Sequence, residues 1–231
     1  MTRVTEQMEQ WAGVFGREYT DRNDWSLEDV DAFYLKNYGI TRTMMNRQFL
    51  MGMPTSMRIL EVGCNVGNQL LLLKKMGFVN LYGIELQDYA VEKAKSRTAQ
   101  INIIKGAACD IPFKDNYFDM VFTSGLLIHI SPADVHMVLE EIYRCTREYI
   151  WGFEYYADLC TEINYRGNKN LLWKNDFAKL YLDLFQGLEL IKDDRYKYID
   201  NDNFDAMFLL RKNQGDMGRR TSLTSRTIPD V

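Results

Sequence analysis

At 231 residues, with 46% hydrophobic and 26% charged side chains, the chain has the make-up of a soluble α/β domain with elaborations, long enough for a core of roughly six or seven strands. A formal net charge of -4 offers no basic footprint for a phosphate backbone, which sets nucleic acid aside as the main partner. The four cysteines (Cys64, Cys109, Cys145, Cys160) form no Cys-x-x-Cys pair and have no histidine at ligand spacing, no signal-peptide run opens the chain, and no window reaches membrane-span length, so a cytoplasmic protein with reduced thiols, no membrane partner and no metal is expected.

Residues 1–50 read as a helical cap or lid: a helix over Glu6–Phe15, a polar loop from Gly16 to Asn23, a helix started by Ser26 with Asp29 in the capping-box position, and a helix over Arg42–Met51. The core is expected over residues 51–212, followed by a tail from 213 to 231 too poor in apolar residues to order.

The core opens with RILEVGCNVGN. Ile59, Leu60 and Val62 make a buried strand, Glu61 sits at its end, and a glycine turn leads through Gly67 and Asn68 into a leucine-rich helix over Gln69–Met76. Such a turn presents unpaired N–H groups at a helix start, and Gly63 allows the main chain close to a ligand. The pattern is Glu-x-Gly-x-Asn-x-Gly rather than the dinucleotide G-x-G-x-x-G. Glu61 would repel a pyrophosphate but welcome a cationic amino-acid end, and S-adenosylmethionine (SAM) carries both an ammonium and a sulfonium. Asn65 stands where a middle glycine would, and asparagine tolerates positive φ.

A second strand, Val79–Ile84, ends in Glu85, followed by Leu86, with Asp88 as the expected cap of a helix over Tyr89–Ala99. Glu85 lies at about the distance at which an acid meets ribose hydroxyls in doubly wound folds. A third strand, Ile101–Lys105, leads to Asp110 and Ile111, an acid to accept from an adenine amino group and an apolar residue to pack its ring. A fourth strand, Met120–Thr123, is followed by Ser124, counted with the cofactor-binding set. A helix from Ser131 or Pro132 to Cys145, a strand over Tyr149–Phe153, a helix over Lys174–Phe185 and a closing pair, Leu188–Asp193 and Asp205–Leu210, complete the order.

That order, with three acids on three successive strand ends, resembles the class I SAM-dependent methyltransferases over roughly residues 50–210. The resemblance implies a doubly wound, seven-stranded, mostly parallel Rossmann-like sheet whose last strand is antiparallel. More narrowly, Thr5-Glu6-Gln7, Trp11-Ala12-Gly13, Phe15-Gly16-x-x-Tyr19-x-x-Arg22-Asn23, Leu127-Ile128-His129-Ile130, Glu154-Tyr155-Tyr156, Tyr165-Arg166-Gly167 and Leu172-Trp173-Lys174-x-Asp176-Phe177 are similar to the pseudaminic acid biosynthesis-associated methylases. This likeness implies a small-molecule acceptor, a sugar or nucleotide-sugar amine or hydroxyl.

In-line methyl transfer needs alignment and exclusion of water, and a hydroxyl acceptor also needs a base. His129, past the fourth strand, is the candidate base, with Tyr155 and Tyr156 beside it as catalytic candidates; a structural role for His129 stands as the alternative. Tyr19, Arg22 and Asn23 are expected to fold over the cradle and bind the methionine carboxylate. Glu154, Tyr165, Arg166 and Lys174 are expected to line the acceptor side. Peptide or protein acceptors, and a non-catalytic SAM-binding partner, remain open. A short-chain reductase is disfavoured: Tyr165-x-x-x-Lys169 has the spacing, but Gly167 and Asn168 break the helix it needs.

Overall fold

The structure is a computed structural model, and the residues it describes are 4–213. The expected tail beyond residue 213 lies outside them. Four helices come first: α1 Glu6–Ala12, α2 Val14–Arg22, α3 Leu27–Tyr38 and α4 Arg42–Leu50. The core then alternates β1 Arg58–Val62, α5 Asn68–Lys75, β2 Asn80–Glu85, α6 Asp88–Arg97, β3 Asn102–Lys105 and β4 Phe118–Ser124. It continues through a single 3-10 turn, Leu127–His129, to α7 Val135–Cys145, β5 Thr146–Tyr156, β6 Thr161–Glu162, β7 Trp173–Lys174, α8 Phe177–Leu184, β8 Leu188–Lys197 and β9 Phe204–Lys212.

The seven-stranded sheet runs β3-β2-β1-β4-β5-β9-β8. Strands β1 to β5 pair in parallel, and β9 runs antiparallel between β5 and β8. Strand alternation assigns the layers. Ile59 faces one side with Met120, Phe122 and Trp151, where α4, α5 and α6 pack through Phe49, Leu73 and Val91. Leu60 and Val62 face the other with Val121 and Ile150, against Leu139 of α7 and Tyr181 of α8. The order reverses direction between β1 and β4, and in such sheets that point opens a crevice at the strands' carboxyl ends.

Several local expectations are corrected. The stretch from Gly16 read as a loop is mostly helix α2. A Cβ on Gly16 would lie 1.8 Å from the Trp11 carbonyl oxygen, so only glycine lets α2 fold back this closely on α1, and its polar sequence is a solvent-facing side. Helix α3 does carry the capping box, with Ser26 accepting from the Asp29 N–H at 3.1 Å. The cap of α6 is Gln87, whose side chain accepts from Tyr89 N–H, rather than Asp88. Helix α7 starts at Val135 because the preceding residues form the 3-10 turn and a Ser131–Asp134 turn closed at 2.6 Å. Residues 173 and 174 pair with β6 instead of opening α8, which Asp176 caps.

The N-terminal residues divide between two jobs. Val30 of α3 and Met45, Phe49 and Leu50 of α4 are buried as part of the sheet's covering layer, while no residue of α1 is buried. Among the described residues, no helix is long and apolar enough to cross a membrane, and no cluster of three His, Cys, Asp or Glu side chains could hold a metal.

Candidate functional site

The turn after β1 is shaped by three positive-φ residues: Gly63 at 73°, Asn65 at 45° and Gly67 at 81°. A side chain on Gly63 would meet Leu126 at 2.7 Å, and one on Gly67 would meet Thr98 at 2.7 Å, so this loop tolerates glycine alone at both places. Gly67 caps α5 without a side chain, leaving the helix start open. Glu85 fixes the loop from the next strand: one carboxylate oxygen accepts from Asn65 N–H at 2.9 Å and the other from Gln87 N–H at 2.9 Å. Burial raises the Glu85 carboxyl above its ordinary value, and these N–H donors oppose the rise.

Glu61 is 3% exposed, and its Oε2 has no hydrogen-bond partner. Burial holds its carboxyl well above the usual range, opposed by Arg42 and reinforced by Glu85. A buried acceptor without a donor is costly, and a cationic donor arriving in the crevice would relieve it.

Helices α1 and α2 roof the crevice through polar contacts. Thr20 donates to Asn65 Oδ1 at 3.0 Å, the Asn68 side-chain amide to the Asn23 carbonyl at 2.9 Å, and the Gln87 side-chain amide to the carbonyls of Ala12 and Gly13 at 2.7 and 2.9 Å. Lys93 of α6 bridges Asp21 and Asp24 at 2.9 and 3.0 Å, and Arg97 reaches Asp24 at 3.2 Å.

Under this roof lies a cavity walled by Trp11, Tyr19 and Asn23 above, by Glu61, Gly63, Asn65 and Asn68 along the glycine turn, and by Glu85, Leu86 and Gln87 at the tip of β2. Gly106 to Cys109 wall one end, and Ser124, Leu126 and His129 the other. His129 is 7% exposed and packs against the rings of Trp11, Tyr165 and Tyr19 at centroid distances of 4.4, 5.4 and 6.5 Å. Its Nδ1 lies 2.7 Å from the Leu171 carbonyl oxygen, which only accepts, so Nδ1 carries the proton and Nε2 keeps a lone pair. Burial pushes the imidazole pKa down to about 4, which keeps the ring neutral.

The remaining expected site residues sit elsewhere. Asp110 is exposed on its turn, and Ile111 is sunk in the core with its N–H donated to Glu141 at 2.8 Å; neither walls the cavity, and Gly106 to Cys109 stand there instead. Arg22 does not wall the cavity and lies 3.8 Å from Glu18. Glu154 is 1% exposed and receives the N–H groups of Leu126 at 3.2 Å and Ile128 at 3.4 Å, so it anchors the 3-10 turn rather than facing an acceptor. Tyr155 carries the Lys174 ammonium 4.1 Å over its ring, and Lys174 also donates to Asn203. Tyr156 lies under the Arg195 guanidinium at 3.8 Å. These three stand outside the cavity wall, as does Arg166, on a positive-φ turn; Tyr165 reaches the site through its contact with His129. The cavity also takes in Trp11, Tyr34 and Gln87, which were not anticipated. Trp11 stood only in the Trp11-Ala12-Gly13 string of the family resemblance, and its place over the cavity comes from the fold-back of α2 on α1, which spacing along one helix does not convey.

Residues 60–149 match the family described as Methyltransferase domain. The sterol 24-C-methyltransferase erg6 of Aspergillus fumigatus is 30% identical over 100 residues, which are 41% of this chain and 26% of that enzyme. The O-methyltransferase rstn1 of Aspergillus nomiae is 30% identical over 96 residues, 39% of this chain and 42% of that one. The chain thus spans about a quarter of the length of the sterol methyltransferases it matches. Among solved structures, geranyl diphosphate C-methyltransferase from Streptomyces coelicolor superposes with a TM-score of 0.68 at 12% identity, covering 92% of this chain and 100% of that one. The magnesium protoporphyrin IX methyltransferase of Synechocystis, solved with bound S-adenosylhomocysteine, gives 0.65 at 11% identity, covering 89% and 98%. The fold is the Rossmann-like fold of SAM-dependent methyltransferases, with the antiparallel last strand that the resemblance implied.

Proposed function

We propose that this chain, whose residues 60–149 match the Methyltransferase domain family, transfers a methyl group from SAM to a small-molecule acceptor, a sugar or nucleotide-sugar amine or hydroxyl. The observation that carries this reading is the pair of acids at neighbouring strand tips around a turn too tight for a side chain. Glu61 offers a buried, unpartnered oxygen to the cofactor's ammonium, and each Glu85 oxygen retains a lone pair for a ribose hydroxyl. Leu86 and Gly106 to Cys109 form the wall for the adenine. The chain's own residues therefore suit SAM, which supplies an activated methyl on a sulfonium.

The protein's task is to align the two reactants and to exclude water, which the α1–α2 roof does. Trp11, Tyr19 and His129 surround the end of the cavity next to Ser124, where an acceptor would enter. With its proton held on Nδ1 by Leu171, His129 presents Nε2 to a hydroxyl as a neutral proton acceptor; an amine acceptor would only need to arrive uncharged. The sugar context rests on the residue strings around Trp11, Tyr19, His129 and Tyr165, which are also the side chains that meet at this end.

Incubation of the protein with methyl-labelled SAM and nucleotide-sugar fractions, read by mass spectrometry, tests this. A labelled sugar product is expected together with S-adenosylhomocysteine. For a hydroxyl acceptor, His129→Ala should lower kcat by about a hundredfold or more while SAM affinity holds. SAM binding without turnover on any metabolite fraction would point to a non-catalytic partner instead.

A further inference from the structure

Resting on the methyltransferase reading above, we infer that the atom methylated is a hydroxyl oxygen rather than an amine nitrogen, held between the Tyr19 hydroxyl as donor and His129 Nε2 as acceptor. Both side chains wall the cavity. Their ring centroids lie 6.5 Å apart, and the Trp11 ring flanks both, 5.2 Å from Tyr19 and 4.4 Å from His129. Tyr19 stands on α2, Trp11 on α1 and His129 on the 3-10 turn, so the fold-back of α2 on α1 at Gly16 is what sets the first two against the third.

The hydrogen-bonding capacities of the two groups are complementary. The Tyr19 hydroxyl donates to no acceptor among the described residues. Burial, reinforced by Tyr165, Tyr34, Glu85 and Glu154 around it, raises the phenol above its ordinary value, so it keeps its proton. His129 gives its Nδ1 proton to the Leu171 carbonyl, and Nε2 has no partner among the described residues. A hydroxyl oxygen has two lone pairs: one accepts from Tyr19, the other attacks the methyl, and its proton points to Nε2. A neutral amine nitrogen has a single lone pair, and a hydrogen bond from Tyr19 would occupy the pair that must attack.

Basicity points the same way. An alkylammonium holds its proton up to about pH 10, whereas burial takes the His129 imidazole down to about 4, so His129 cannot uncharge an amine. The titratable side chains packed on His129 are the phenols Tyr19 and Tyr165, and Glu154, beneath the turn, is spent on the N–H groups of Leu126 and Ile128. A hydroxyl needs no prior deprotonation. As its oxygen bonds to the methyl carbon its proton becomes strongly acidic and passes to Nε2, while the carbon–sulfur electron pair stays with the departing thioether. The imidazolium then returns the proton to water.

One test needs no turnover. Imidazole nitrogen NMR of the free protein, with the exposed His136 removed by His136→Asn, should show His129 as the Nδ1–H tautomer, unprotonated down to about pH 5. An imidazolium at neutral pH, or an Nε2–H tautomer, would overturn the inference. In turnover with methyl-labelled SAM and the nucleotide-sugar fractions, the carbon shift of the transferred methyl separates a methyl ether from an N-methyl group. The ether is expected, and Tyr19→Phe should lower kcat about tenfold or more while calorimetry finds S-adenosylhomocysteine bound within about twofold of wild type. An N-methyl product, an unchanged kcat, or a loss of S-adenosylhomocysteine affinity in step with the loss of rate would overturn the inference and leave the methyltransferase reading standing. No labelled product at all would remove both. The tautomer and the product are read with Tyr19 intact, so they decide the matter even where Tyr19→Phe fails to fold.

Discussion

Glu154 shows how a single buried acid governs a loop. It sits near the end of β5 with its carboxylate under the backbone of Leu126 and Ile128, and that backbone leads directly to His129. Burial pushes its pKa up to about 7 against backbone and Thr123 donors that pull it down. In the unfolded chain it titrates near 4.5, so the folded state binds the extra proton. Its contribution to stability is complete below the unfolded value and is lost as pH rises through about 7. Glu154→Gln should come nearest to wild type at about pH 4, where both side chains are neutral, and chemical denaturation is expected to show the variant gaining on wild type by up to about 3 kcal/mol between pH 5 and pH 8. A constant difference across that range would show that the carboxyl titrates alike in the folded and unfolded chain. Residues of this kind explain the uneven legibility of the site. Glu61 and Glu85 could be located because their distance from a glycine turn carries meaning. Arg42 could not, since an arginine at a helix start reads as a surface charge until tertiary packing buries it. Glu154 was recognised as important but given the wrong partner, because a strand-end acid looks the same whether it faces a ligand or the next loop.

At the scale of elements, the roof is the informative case. Helices α1 and α2 bury little of their own surface, with only Gly16 and Thr20 of α2 enclosed, and they hold to the core through Thr20, Asn23, Gln87, Lys93 and Arg97. Exposed ion pairs of this kind are weak and screened by salt. Helices α3 and α4, in contrast, are locked by apolar burial. Raising ionic strength, or Lys93→Ala, should therefore speed release of S-adenosylhomocysteine severalfold in stopped-flow measurements while the melting temperature barely moves. Loss of global stability in step with faster release would mean that the roof belongs to the cooperative core. Reading α2 as a loop had the same origin: a thin polar helix has too few apolar residues to display its period, and only the contact between Gly16 and Trp11 reveals the turn between the two helices.

Across the whole molecule, the sheet order was the most legible feature. Each strand of the parallel half is a short apolar run closed by a polar or glycine turn, and right-handed crossovers leave few ways to connect such runs. The antiparallel β9 came from family resemblance, not from its residues, since an apolar run does not state its direction. What the chain order could not convey is which side chains at the strand tips turn inward. That depends on loop lengths and on helix packing, and it separates Glu85 on the cavity wall from the exposed Asp110 one strand further on.

Titration of the purified chain with S-adenosylhomocysteine and with NADH identifies directly the ligand that the β1 and β2 tips recognise. Saturable heat with S-adenosylhomocysteine, weakened about tenfold or more by Glu61→Gln, and none with NADH is the predicted result. Binding of NADH without binding of S-adenosylhomocysteine would contradict it.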